Sequence, residues 1–268
     1  MQQLKVFTPT GFVIHVTGVP GAGKTTLIGD MLFNELNNGP CAFLYTRREG
    51  NLTSGCWTVL PQEVLHHPNF EAIFLETYSD IVELTKRWRK EPRQAIGIDT
   101  STGYELLIKT ALTGDETNDL KTSLGDNQFK KFDNMLCECL QDLREISKFA
   151  MMVSPAVPTA YNIEIGQYDK GVSKTSIDAD KRFEPDGETQ KAKLKLLYQC
   201  DYAFHIRREE VKSTGKIGRY ELVMEPNMKL STKVRIPLGR KPLTNIQLSD
   251  TVGGNWPKIK ESIFGSLT

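Results

Sequence analysis

Gly18-Val19-Pro20-Gly21-Ala22-Gly23-Lys24-Thr25-Thr26 fits G-x-x-x-x-G-K-[ST] at every required position. The run before it, Gly11-Phe12-Val13-Ile14-His15-Val16-Thr17, is apolar and β-branched, the composition of a buried strand. The run after it, Thr25-Thr26-Leu27-Ile28-Gly29-Asp30-Met31-Leu32-Phe33, places apolar residues at helical spacing. Strand, glycine-rich loop and helix, in that order, are the context in which this pattern binds a nucleoside triphosphate. A triphosphate is dense negative charge and needs many donors. Glycines let successive backbone N–H groups turn inward without a Cβ in the way, and the following helix directs its N-terminus at the same point. In this reading Gly18, Val19, Pro20, Gly21, Ala22, Gly23, Lys24, Thr25 and Thr26 form the cofactor-binding loop. Lys24 reaches the β- and γ-phosphates, and the Thr25 hydroxyl is a magnesium ligand.

The 268 residues suffice for one large α/β domain with insertions, or for one domain and a small appendage. Hydrophobic residues at 39% and charged residues at 25% are ordinary for a soluble globular protein. No apolar run approaches the roughly 20 residues of a membrane span. The N-terminus lacks a charged start followed by an apolar stretch, so neither a membrane partner nor a secretory route is expected. Five cysteines, Cys41, Cys56, Cys137, Cys139 and Cys200, are scattered and odd in number. Cys137 and Cys139 form a lone C-x-C inside a helical pattern, which argues for reduced thiols in a cytoplasmic protein and against zinc. The net charge of +1 gives no global argument for nucleic acid, so any such binding rests on local basic patches.

Along the chain, strands and helices alternate. The helix after the loop runs to about Asn37 and stops at Asn38-Gly39-Pro40. Cys41 to Thr46 reads as a second core strand, ending in the polar loop Arg47-Arg48-Glu49-Gly50-Asn51. Leu52 to Asn69 shows no clear pattern. Phe70 to Thr77 is a strand, and Ser79-Asp80 caps a helix over Ile81 to Trp88. Gln94 to Thr102 is an apolar strand ending in an acid and hydroxyls. Helices follow over Gly103 to about Leu112 and Phe129 to about Lys148, separated by a polar linker. Phe149 to Ser154 is a core strand closed by Pro155. Residues 156–192 are polar with little periodicity, as a functional or disordered loop would be. Tyr202 to Arg207 and Tyr220 to Met224 form a hairpin across Thr214-Gly215-Lys216. From about Lys241 the chain reads as a surface tail with one short helix, Trp256 to Phe264. The expected fold is α/β, with a mostly parallel sheet covered on both faces and an antiparallel C-terminal hairpin.

Two carboxylates complete the candidate chemistry. Asp99 ends the apolar strand Ile96-Gly97-Ile98, about 75 residues after Lys24, where an acid holds the magnesium shell; a helix N-cap is the plainer alternative. Hydrolysis needs a carboxylate to polarise water beside the γ-phosphate. Glu49, just past the second strand, is the first candidate, and Glu76 competes from the end of the next. For either, the plainer alternative is a solvated surface acid.

Phe43-Leu44-Tyr45-Thr46-Arg47-Arg48-Glu49-Gly50 resembles the strand-and-acid stretch of RecA-type recombinase cores. The order of phosphate loop, Glu-Gly loop, strand with Asp-Thr-Ser, polar-ended strand, long loop and hairpin is similar too. It is closest to the short, single-domain phage ATPases that accompany single-strand annealing and recombination, with Cys200-Asp201-Tyr202-Ala203-Phe204-His205-Ile206-Arg207 matching their apolar, Asp, strand, Arg-rich hairpin pattern. The resemblance covers about residues 10–240, and only the phosphate loop is individually specific. It implies a P-loop NTPase with a RecA-like core over residues 1–240, followed by a C-terminal tail over 241–268. It further implies ATP and Mg2+ as cofactors, with Glu49 activating the attacking water.

Two departures stand out. Thr46-Arg47-Arg48 carries no aspartate before the glutamate. Val153-Ser154-Pro155-Ala156 puts Ser154 where the family carries a His, Gln or Asn that senses the γ-phosphate. The hydroxyl of Ser154 is expected to bond a phosphate or the water but is a poor substitute for an amide, which implies a slow switch or a structural ATPase.

The same resemblance implies single-stranded DNA as a partner, a homo-oligomer, and the bacterial host cytoplasm as location. The DNA loops of the family match Thr113–Gln128 and Ala156–Lys193. The second holds Lys170, Lys174, Lys181, Arg182, Lys191 and Lys193 with Tyr161, Tyr168 and Phe183, a composition suited to backbone tracking and base stacking. It also holds Glu164, Asp169, Asp178, Asp180, Glu184, Asp186 and Glu188, so it is not basic by count. Arg207, Arg208, Lys233 and Arg235 are candidates for a cation supplied to a neighbour's γ-phosphate. The leading expectation is an ATP-hydrolysing protein acting on single-stranded DNA in phage recombination or replication. The alternatives are a nucleotide-regulated assembly or virion component with little turnover, and a small-molecule kinase, for which no paired-arginine lid is evident. A GTPase is disfavoured because no [NT]-K-x-D motif occurs.

Overall fold

Strand β1, Phe12–Gly18, is buried at six of its seven positions and lies inside the sheet. The computed structural model describes residues 11–46, 59–114, 124–160, 181–185, 199–210, 217–225, 232–234 and 243–265. After β1 come β2 (Cys41–Thr46), β3 (Phe70–Leu75), β4 (Arg93–Asp99), β5 (Ser147–Ala160), β6 (Lys181–Pro185), β7 (Tyr202–Glu210), β8 (Ile217–Val223) and β9 (Ile246–Gln247). The helices are α1 (Lys24–Glu35), α2 (Gln62–Leu65), α3 (Tyr78–Trp88), α4 (Ser101–Thr113), α5 (Asp126–Ile146) and α6 (Trp256–Phe264).

Among the described residues the strand order is β3-β2-β4-β5-β1-β7-β8-β9, with β6 paired to the outer part of β5. The six strands from β3 to β7 along this order are parallel, and β8 and β9 return antiparallel. The α/β class and the mostly parallel sheet follow the sequence pattern. Near-continuous apolar runs such as Cys41–Thr46 suit strands covered on both faces.

Alternation along the strands sorts side chains to two cores. Ile14, Val16, Phe149, Met151 and Val153 pack with Leu27, Ile28, Met31 and Leu32 of α1 and with α6. Val13, Ile96, Ile98, Ala150 and Met152 pack on the other face with Tyr104, Leu107 and Ile108 of α4 and with Phe132, Leu136 and Leu140 of α5. Gly97 sets how closely α1 approaches β4. A Cβ there would stand 2.1 Å from Ile28 Cγ2, so only glycine admits this packing.

Several local expectations are revised. The cap of α3 is Thr77, whose hydroxyl accepts from the Asp80 N–H while the Asp80 carboxylate accepts from the Thr77 N–H; Ser79 is not the cap. Pro155 does not end its strand. It pairs with Gly18, and beyond it β5 passes from parallel pairing with β1 to antiparallel pairing with β6. Proline holds an extended φ and lacks only a donor, so such a junction tolerates it. The pairing of 156–160 with 181–185 places strand inside the segment expected as an irregular loop.

The segment expected as a surface tail is built into the core. Trp256, Ile259 and Ile263 are at most 2% exposed. Two carboxylates of α1 anchor α6. Asp30 Oδ2 accepts from the backbone N–H of Asn255 (2.9 Å) and of Trp256 (2.5 Å), capping α6 from another helix. Glu35 Oε1 accepts from Trp256 Nε1 and Lys260 Nζ, both at 2.7 Å, and its other oxygen accepts from Gln94 Nε2 and Asn38 Nδ2. Burial by itself pushes the Glu35 carboxyl up, but the bonds from Lys260, Gln94 and Trp256 outweigh it and hold the group below its ordinary range.

Candidate functional site

The glycine-rich loop joins β1 to α1 at the carboxyl edge of the parallel strands, the edge at which open α/β sheets gather ligands. Gly21 and Gly23 adopt φ of 77° and 82°, the left-handed region that side chains rarely occupy. No side chain caps α1, whose N-cap is Gly23. Its leading N–H groups therefore have no side-chain acceptor in the cap position. Val19, Pro20 and Gly21 are exposed, while Ala22 is buried and its N–H donates to Val19 O at 3.1 Å. Lys24 Nζ donates to Gly18 O (2.8 Å) and Val19 O (2.9 Å), which places the ammonium over the loop it was expected to serve.

Thr25 Oγ1 donates to Asp99 Oδ2 at 2.7 Å. The strand bearing Asp99 is not the neighbour of β1, because β5 lies between them. The residues meet because α1 crosses the sheet towards β4, over Gly97. After Asp99 the chain turns through a cis peptide to Thr100. The Thr100 hydroxyl accepts from the Gly103 N–H at 3.2 Å and caps α4. The cap role is thus taken by Thr100, leaving the Asp99 carboxylate turned to Thr25.

Ser154 ends elsewhere than at the loop surface. It is fully buried, and Ser154 Oγ lies 3.1 Å from His15 Nε2, on the face covered by α4 and α5. In the same register row, Thr17 Oγ1 pairs with His205 Nδ1 at 2.9 Å and donates to Phe204 O at 3.2 Å. His15, Thr17, Ser154 and His205 make a buried polar row across β5, β1 and β7, directly beneath the loop. Burial lowers the His15 pKa to about 4. His205 is lowered to about 4 by burial first and then by the nearby charges of Lys24 and Arg207. Both imidazoles are neutral at neutral pH. The signal for these histidines was present, as single polar residues inside apolar core strands, but a strand read alone does not show what faces it.

Glu49, Arg235 and most of the two expected DNA loops lie outside the described residues. Glu76 is exposed at the end of β3 and its N–H donates to Asp80. Three strands separate β3 from β1, about 19 Å of sheet, so Glu76 is not brought to the loop. Arg207 is exposed and pairs with Glu221 at 2.5 Å. Lys233 Nζ donates to Cys200 O at 2.9 Å, which turns it towards the chain's own backbone. Tyr220, not singled out in the sequence, donates its hydroxyl to Gly21 O at 3.0 Å. Among the described residues no helix is long and apolar enough to cross a membrane. Compared with known proteins, the chain matches no family model and no curated sequence.

Proposed function

We propose that the protein is a P-loop NTPase with a RecA-like core that binds ATP with Mg2+, hydrolyses it, and acts on single-stranded DNA in phage recombination or replication. The observation that carries the nucleotide part is the 2.7 Å bond between Thr25 and Asp99 at the mouth of a loop whose glycines are left-handed and whose helix is uncapped. These residues fit the cofactor. The loop backbone and Lys24 suit phosphate oxygens, while Thr25 and Asp99 supply hard oxygen ligands of the kind magnesium takes. The ion, when bound, neutralises charge developing on the phosphates.

The chain's own groups have separable tasks. Lys24 adds a positive charge beside the loop and exchanges its bonds to Gly18 O and Val19 O for phosphate oxygens. The Thr25 hydroxyl and Asp99 carboxylate hold each other in place before any ligand arrives. Glu49 is proposed as the base for the attacking water on the strength of the family resemblance. DNA and a homo-oligomer rest on that resemblance too.

A second reading, a nucleotide-regulated assembly component with little turnover, is favoured by one observation. Ser154, the residue in the sensor position, is bonded to His15 instead of being presented at the loop. One assay separates the two. ATP turnover is measured with and without single-stranded DNA, with Lys24→Ala as control. Turnover stimulated by DNA and lost in the variant supports the first reading. Tight binding without turnover supports the second, and no binding by the wild type sinks both.

A further inference from the structure

We propose that the β7–β8 hairpin grips the glycine-rich loop at its start and at its crest, with His205 and Tyr220 as positioning residues for the bound nucleotide. The inference rests on the nucleotide reading of the loop given above.

The two grips come from opposite faces of the sheet. Tyr202, Phe204 and Ile206 of β7 face α1, so alternation turns His205 to the α4 and α5 face. There it pairs at 2.9 Å with Thr17, the residue immediately before Gly18. Leu222 of β8 faces α1, and so does Tyr220, which packs against that core. Its hydroxyl reaches Gly21 O, 199 residues away in sequence. One strand of the hairpin therefore holds the loop where it leaves β1, and the other holds it at its exposed crest.

The loop bonds back onto its own backbone carbonyls. Besides the Ala22 N–H on Val19 O, Lys24 reaches back to Gly18 O and Val19 O. A phosphate that recruits Lys24 removes those last two. A Cβ built on Gly21 would meet nothing within 4 Å, so packing does not orient the peptide that follows it. The Tyr220 hydroxyl, bonded to that peptide's carbonyl, fixes its plane. The bond survives the movement of Lys24 and keeps the loop in its nest when the ammonium turns to the ligand. A residue of this kind acts on nucleotide affinity and leaves the chemical step alone, because it stabilises ground and transition states alike.

The test uses the full chain, a fluorescent ATP analogue with Mg2+, and steady-state ATP turnover. Tyr220→Phe keeps the ring and removes only the hydroxyl. It should raise the dissociation constant and the KM about five- to tenfold, the worth of one hydrogen bond, with kcat within about twofold and the melting temperature unchanged. His205→Leu should weaken binding similarly, and His205→Asn, whose amide replaces Nδ1, should restore it. A Tyr220→Phe protein that binds as tightly as wild type, or His205→Leu and His205→Asn proteins that behave alike, overturns the grip. Failure of the wild type to bind the analogue overturns the nucleotide reading itself.

Discussion

Thr25 donates its hydroxyl proton to the Asp99 carboxylate across 2.7 Å, joining residues 74 apart in sequence. The bond ties the first turn of α1 to the tip of β4, the strand that β5 separates from β1. If these oxygens take magnesium, Asp99→Asn should cut ATP turnover on the order of 100-fold. It should also abolish the magnesium-dependent part of nucleotide affinity and leave metal-free affinity nearly unchanged. Turnover and binding measured across a magnesium titration check this. Wild-type magnesium dependence in the variant would remove Asp99 from the site.

That meeting depends on Gly97. A Cβ at this position falls 2.1 Å from Ile28 Cγ2. Gly97→Ala should therefore destabilise the fold by about 1–3 kcal/mol through overpacking, read as a shift of the urea midpoint. In a double-mutant cycle with Ile28→Ala, the two changes should couple by about 1 kcal/mol or more, since removing the methyl makes room for the added one. Strict additivity would place the strain elsewhere.

The buried histidines set an acid limb. His15 and His205 sit near pKa 4 in the fold and near 6.5 when unfolded. Between those values the unfolded chain binds more protons, so stability falls as the pH is lowered and is unaffected by these groups above about 6.5. The loss is about 2 kcal/mol per histidine between pH 7 and pH 5. His15→Gln and His205→Asn should each flatten the limb in urea denaturation at pH 7, 6 and 5. An unchanged slope in both would mean that other groups govern it.

Helix α6 is held by α1 and fills the same core, so residues 1–240 should not make a stable unit. A chain ending at 240 loses Trp256, whose burial alone is worth about 3–5 kcal/mol; it leaves Asp30 without the two N–H donors of α6 and strips Glu35 of Trp256 and Lys260, while Asn38 and Gln94 remain. Circular dichroism should show it unfolded or melting far below the full chain. The point variant Asp30→Ala, which removes the cap of α6, should cost about 1–2 kcal/mol.

What was legible follows from where each feature is encoded. The glycine-rich loop, β1 and α1 are contiguous, and their pattern announces itself. Helix α6 is also local and is observed over the expected span, Trp256–Phe264. Its cap was not legible, because the oxygen comes from Asp30, 225 residues earlier. Asp99 is legible as a candidate because its strand and acid are adjacent, yet its separation from β1 by one intervening strand is a property of the sheet order. Ser154 was read from its position after a core strand; the histidine that engages it lies 139 residues away, and nothing local points to it. Pro155 reads as a stop only if pairing partners do not change there, and they do.

The capping of α6 by Asp30 also has a consequence in time. During synthesis at roughly 5–20 residues per second, Asn255 and Trp256 are made on the order of 10–40 seconds after Asp30. For that interval Asp30 of α1 lacks the N–H donors that will meet it in the interior, and Glu35 lacks Trp256 and Lys260. The helix that shapes the glycine-rich loop therefore matures last although it is translated among the first. A nascent chain stalled on the ribosome before α6 emerges should not hold nucleotide, and one stalled after it should.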